Sequence, residues 1–274
     1  LYSEEDFQTR SEFTDPEILR TNLAAVILKM MDSGLGKVDE FEFIDVPDSR
    51  LWNDGYKLLQ ELQALDLHNR FTPLGRQIAL IPADPRLGKM LMTAVEKGCV
   101  AEILVIVSAL SIQDPRERPQ EKQQAADQAH SQFKDVDSDF VSFLHLWHEY
   151  EYQRDALSTS QLKRYCQKNF LSFMRMREWR EIHRQLYLVM KELKLVKENT
   201  DSSHFWAEES EKEGNSLKEK TLIASPLFRV KSYESVHQSL LSGLLGNIGT
   251  HDEKREYLGC RNRKFTLFPT FAGS

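Results

Sequence analysis

The stretch from Cys99 to Ile112, CVAEILVIVSALSI, carries a single charge, Glu102. Wound as a helix it is apolar on nearly every side, so it must be enclosed by other elements. Its most apolar run, Ile103 to Leu110, falls far short of the roughly 20 residues a bilayer span needs. The chain therefore reads as a helical bundle built around this segment, and amphipathic stretches on both sides provide the cover. Residues 14–34 have a cap at Asp15, Pro16 at the first helical position, a stripe of Ile18, Leu19, Leu23, Val26, Ile27 and Met30, and Gly34 as a stop. Residues 48–65 predict a second helix with Trp52, Leu58, Leu59 and Leu62 inward. The run Leu65-Asp66-Leu67, His68-Asn69-Arg70, Phe71-Thr72 predicts a small hairpin. Asp84-Pro85 opens a helix that Gly98 closes, and a polar loop from Gln113 to Gln120 is broken by Pro115 and Pro119. Another helix starts near Ser138 with Phe140, Val141, Leu144 and Trp147 on one face. Ser158 caps a shorter one, and a long helix runs from about Asn169 to Leu195 with Leu171, Met174, Ile182, Leu186, Val189 and Leu193 inward.

Beyond it the pattern changes. Residues 197–221 hold seven acidic and four basic side chains and few apolar anchors besides Phe205 and Trp206, as in a solvated linker or long loop. Helical spacing returns at Val236, Leu240, Leu241, Leu244 and Leu245 and stops at Gly246 and Gly249, and residues 256–269 alternate as a strand does. The expected fold is mainly α: a winged-helix unit, a helical bundle, and a truncated β segment at the end. A length of 274 residues accommodates two or three domains. The 41% hydrophobic content excludes a wholly disordered chain. The 28% charged content and mean hydropathy of −0.50 exclude an integral membrane protein. Glu4, Glu5 and Asp6 do not form the basic-then-apolar pattern of a secretory leader. Cys99, Cys166 and Cys260 lie far apart, which argues for a reducing compartment and against a disulfide framework or cysteine metal site. With Leu1 at the start and an unfinished strand at the end, the chain is expected to be part of something longer.

No catalytic constellation emerges. Gly34-Leu35-Gly36-Lys37 has neither the spacing nor the hydroxyl residue of a phosphate-cradling loop, and Gly243, Gly246 and Gly249 suit packing and capping rather than a dinucleotide fingerprint. His145 and His148, next to Glu149, offer two metal ligands on one face without a matching second half-site. Cys166 has Lys163, Arg164 and Lys168 nearby, which would lower its pKa, but no histidine partner close in sequence. No catalytic residue and no metal site are assigned.

The sharper signal is cationic. Residues 161–184 hold Lys163, Arg164, Lys168, Arg175, Arg177, Arg180 and Arg184 against Glu178 and Glu181, seven minus two, on a chain of net charge −6. Arg177, Arg180 and Arg184 fall at i, i+3 and i+7, which aligns them along a helix. Such a row suits a phosphate backbone, and equally a solvated face in which glutamates pair with the arginines. A second cluster, Lys254, Arg255, Arg261, Arg263 and Lys264 against Glu256, alternates with Tyr257, Phe265 and Phe268, as single-stranded nucleic acid favours. The second helix of the winged-helix unit carries Asp48, Asp54 and Glu61 against only Arg50 and Lys57, which favours a packing module over DNA reading.

Several stretches resemble the region behind the motor domains of DEAH-box RNA helicases, most closely the bacterial HrpA type. They are LYSEEDF (1–7), FTDPEILRTNL (13–23), FTPLGRQ (71–77), PADPRLGKM (82–90), SALSIQDPRERP (108–119), SDFVSFLHLW (138–147), MREWREIHRQL (176–186), HQSLLSGLLGNIG (237–249) and YLGCRNRKFTLFP (257–269), in family order. The resemblance implies that residues 1–13 are the tail of the second RecA-like motor domain, 14–82 a winged helix and 83–196 a helical, ratchet-type domain. It implies that 197–231 are a linker or insertion and 232–274 the start of an OB fold. These parts would form one wall of a single-strand RNA channel beside the motor domains of a cytoplasmic helicase. ATP and magnesium would bind those motors rather than this stretch, which alone would be inactive. The implied backbone contacts are Arg177, Arg180 and Arg184, then Arg261, Arg263 and Lys264, with Gln113, Arg116 and Arg118 on the family's loop motif. The alternative is a non-catalytic protein-interaction module. Residues 197–231 depart from the family as an insertion, and the ending FPTFAGS departs from its tighter FPGS.

Overall fold

The computed structural model describes residues 23–36, 38, 41–196, 233–251, 256–259 and 264–266. The chain divides into two compact units, residues 1–80 and 81–274. Ten α-helices and three short strands lie among the described residues, so the chain is mainly α.

In the first unit, α1 is Ala24–Asp32, α2 is Ser49–Glu61 and α3 is Pro73–Leu80. The predicted opening of α1 at Asp15 and Pro16 lies outside the described residues, and Gly34 follows its end in the left-handed region at φ +67°. α2 starts where the Asp48 carboxylate accepts the Arg50 N–H at 2.8 Å. Trp52, Leu58, Leu59 and Leu62 are buried as predicted. The expected hairpin contracts to one antiparallel bridge, Leu65–Phe71. Asp66 explains why. Its carboxylate accepts the His68 and Arg70 N–H groups at 2.8 and 2.9 Å, closing the turn locally instead of extending a ladder. α3 goes beyond the predicted elements: at Pro73 the chain leaves the bridge and starts a helix, where proline suits the first turn.

In the second unit, α4 (Pro85–Lys97) is capped by Asp84 and ended by Gly98 at φ +72°, both as predicted. It leads into α5 (Val100–Leu110), in which every residue from Val100 to Ala109 is buried. α7 (Asp139–Ala156), α9 (Phe173–Glu192) and α10 (Tyr233–Gly243) pack on α5 with α4. The centre is pinned by Trp179 of α9, fully buried, whose Nε1–H donates to the Val105 carbonyl and the Ser108 hydroxyl, each at 3.0 Å. An indole N–H buried at such a depth needs partners of this kind.

Two predicted features of the long helix change. It starts at Phe173 rather than Asn169, because Phe170 takes a left-handed φ of +52° and Leu171 forms a bridge with Arg116. Its buried side is Met176, Trp179, His183, Leu186 and Met190, while Met174, expected inward, is 67% exposed. α6 (Gln123–Ser131) adds to the predicted elements; it buries only Ala126 and shows no apolar stripe. α8 (Thr159–Lys168) begins with Ser158 and Gln161 in a reciprocal capping box. α10 lies along α4: Gly243 leaves no room for a Cβ against the Arg86 carbonyl, His237 Nε2 meets the Ser138 hydroxyl at 2.8 Å, and Ser239 meets Cys99 at 3.3 Å. The helix expected to open the β segment is thus packed into the bundle. Three antiparallel strands follow, β1 (Gly249–His251), β2 (Tyr257–Gly259) and β3 (Lys264–Phe265), in that order. The predicted linker, 197–231, lies outside the described residues. Among the described residues no helix is long and apolar enough to cross a membrane.

Candidate nucleic-acid interface

The spacing that aligned three arginines is realised on α9. Arg177, Arg180 and Arg184 each sit one position after a buried anchor (Met176, Trp179, His183), which sets them along the border of the buried face. All three line an open groove of about 830 Å³ between α9 and α7, with Trp147, Glu151, Glu178, Glu181 and Tyr187. Within this groove three guanidiniums meet three carboxylates, so the local charge is close to balanced.

The three arginines are held differently. Arg177 is exposed and has no carboxylate partner among the described residues. Arg184 forms a two-pronged pair with Glu181, at 3.0 Å from Nε and 2.7 Å from Nη2, with both side chains about half exposed. Those bonds, reinforced by one from Gln185, hold the Glu181 carboxyl down to about 2. Arg180 reaches across to α7, where its Nε stands 2.6 Å from a Glu151 oxygen, and that glutamate side chain is only 8% exposed. Arg154 approaches the other oxygen at 3.2 Å and itself pairs with Asp155 at 2.8 Å. Burial pushes the Glu151 carboxyl above its ordinary value, against the pull of Arg180 and Arg154. Removing one partner of a buried pair costs on the order of 3–5 kcal/mol, and somewhat less with Arg180 36% exposed.

Glu151 is the member of this groove that sequence reading missed. A signal for it existed: it continues the buried Leu144–Trp147 stripe of α7 at helical spacing, and a carboxylate in such a position requires a cation from elsewhere.

The helicase-associated domain family described as "Helicase associated domain (HA2), ratchet-like" matches residues 84–143. The chain is 47% identical over 98% of its length to the ATP-dependent RNA helicase HrpA homolog of Haemophilus influenzae, covering 19% of that protein. It is 44% identical, again over 98% of its length and 19% of the relative, to the ATP-dependent RNA helicase HrpA of Escherichia coli. It is 34% identical over 64% of its length to the pre-mRNA-splicing factor ATP-dependent RNA helicase prp22 of Schizosaccharomyces pombe, covering 14% of that protein. The chain belongs with the HrpA-type DEAH-box helicases. It spans about a fifth of the length of the HrpA relatives it matches.

In this HrpA-type stretch the loop motif 108–119 is engaged internally. Arg116 grips Asp114 through Nε at 3.0 Å and Nη2 at 2.7 Å, and its guanidinium lies 4.9 Å from the centre of the Phe143 ring. Burial pushes the Asp114 carboxyl up, but the Arg116 bonds outweigh it and hold it below its usual value. Arg118 makes two bonds of 2.7 Å to Asp127. Gln113 is exposed. None of these three lines the α9 groove. Lys264 pairs with Glu256 at 3.0 Å, whereas Arg261 and Arg263, with Lys254 and Arg255, lie outside the described residues. The basic surroundings of Cys166 do not activate it: the thiol is fully buried, and burial pushes it up to about 11. His145 and His148 remain on α7, burial lowers the His148 pKa, and among the described residues no three His, Cys, Asp or Glu side chains gather as metal ligands.

Proposed function

We propose that this chain is the accessory, RNA-guiding part of an ATP-dependent RNA helicase and forms one wall of its single-strand channel. The carrying observation is the open arginine groove on α9, in a chain that matches proteins named as RNA helicases over nearly its whole length. Arg177, Arg180 and Arg184 are the proposed backbone contacts, with Arg261, Arg263 and Lys264 as a second set and Gln113, Arg116 and Arg118 as weaker members. Arg177 leads, because no carboxylate among the described residues holds it. The partners are single-stranded RNA and the helicase's own RecA-like motor domains. ATP and magnesium are used by those motors, in the cytoplasm. Residues 14–82 serve as a winged helix against the motor, 83–196 as the ratchet-type domain and 232–274 as the start of an OB fold.

A protein-interaction module is the second reading, and the carboxylate partners of Arg180 and Arg184 favour it. Fluorescence anisotropy with a labelled single-stranded RNA over a salt series separates the two. The RNA reading expects an affinity that falls with salt at a log–log slope of about −0.7 per phosphate contact. Arg177→Glu should weaken binding several-fold and flatten the slope by about one contact. Absence of binding at low salt favours the interaction module.

A further inference from the structure

The groove's two paired arginines differ in one decisive respect, the burial of the carboxylate each one holds. Glu181 sits one turn before Arg184 on the same helix, with its side chain 48% exposed. If it lets go of Arg184, water can solvate both groups, and Gln185 still donates to it at 2.9 Å. Two non-bridging oxygens of a phosphate offer a guanidinium a pair of acceptors, as the two oxygens of a carboxylate do. An arriving backbone phosphate would therefore exchange one two-pronged pair for another at Arg184. Glu151 offers no such exchange. It is on another helix and 8% exposed, so losing Arg180 would strand a carboxylate in the bundle with Arg154 as its remaining cation.

We propose that Glu181 is a built-in competitor for an RNA phosphate at Arg184, whereas Glu151 is a positioning residue that keeps Arg180 in the row. This rests on the RNA reading above. The competitor weakens the grip at one site so that a strand held there can also leave it, which suits a wall along which a strand moves.

The test uses the full chain, a labelled oligouridylate and anisotropy over a salt series. Glu181→Gln should tighten binding roughly three- to tenfold at low salt and steepen the slope by about 0.7. Glu96→Gln is the control: the same charge change at an exposed position on α4 outside the groove, expected to move affinity less than about twofold. In an Arg184→Gln background the gain from Glu181→Gln should vanish. Glu151→Gln should lower the melting temperature without tightening binding. The inference is overturned if the wild type binds but Glu181→Gln matches Glu96→Gln, or if its gain survives the loss of Arg184. Failure of every variant to bind RNA would remove the RNA reading and this inference together, a distinct outcome.

Discussion

Arginines with identical chemistry end up with different duties on α9, and the partner's burial decides which. Arg177 meets no carboxylate among the described residues, Arg184 is shared with an exposed glutamate, and Arg180 is held in place by the buried Glu151. Reversing the charge at Arg180 would set two carboxylates against each other beside α7. The Arg180→Glu protein should therefore melt well below Arg177→Glu, whose Tm should stay near that of the wild type. Glu151 has a raised carboxyl value, so the native state takes up its proton at higher pH than the unfolded chain does. Its contribution to stability accordingly grows as pH falls through the window above the ordinary value of 4.5, and shrinks as pH rises. The Tm deficit of Arg180→Glu should be larger at pH 7 than near pH 5 in thermal melts; an equal deficit at both would show that charge repulsion is not its cause. The arginine row was legible in the sequence because i, i+3, i+7 spacing is a local property of one helix. Its neutralisation by Glu151 was not, because that pairing is a tertiary contact between α7 and α9.

Elements followed the same division. Where a segment carries its own start and stop, as with Asp48 on α2, Asp84 and Gly98 on α4, and Ser158 on α8, local chemistry located it. α6 escaped because a single buried alanine gives no periodicity. The inward face of α9 was misjudged for a different reason: Trp179 and His183 anchor it, and neither registers as strongly as a run of aliphatics. The seam between α4 and α10 depends on the missing side chain at Gly243, where the Arg86 carbonyl occupies the space of a Cβ. Gly243→Val should cost about 1–3 kcal/mol by overpacking. Urea unfolding would measure this, and an unchanged midpoint would mean that α10 contributes little to the bundle.

At the scale of the whole molecule, an overall charge of −6 surrounds a groove whose own charges nearly cancel. Long-range attraction of a polyanion is therefore weak, and any strand binding depends on short contacts at a few guanidiniums. α10 carries another consequence. It is held in the bundle by Gly243 against α4, by His237 on Ser138 and by Ser239 on Cys99. These contacts, made by α10 itself, are expected to hold it without the connection to α9. A protease site introduced at Gly214-Asn215 and then cleaved should yield two polypeptides that still travel as one particle on a sizing column and separate only in denaturant. Continuity of the backbone and integrity of the bundle would then be, in this protein, separate properties.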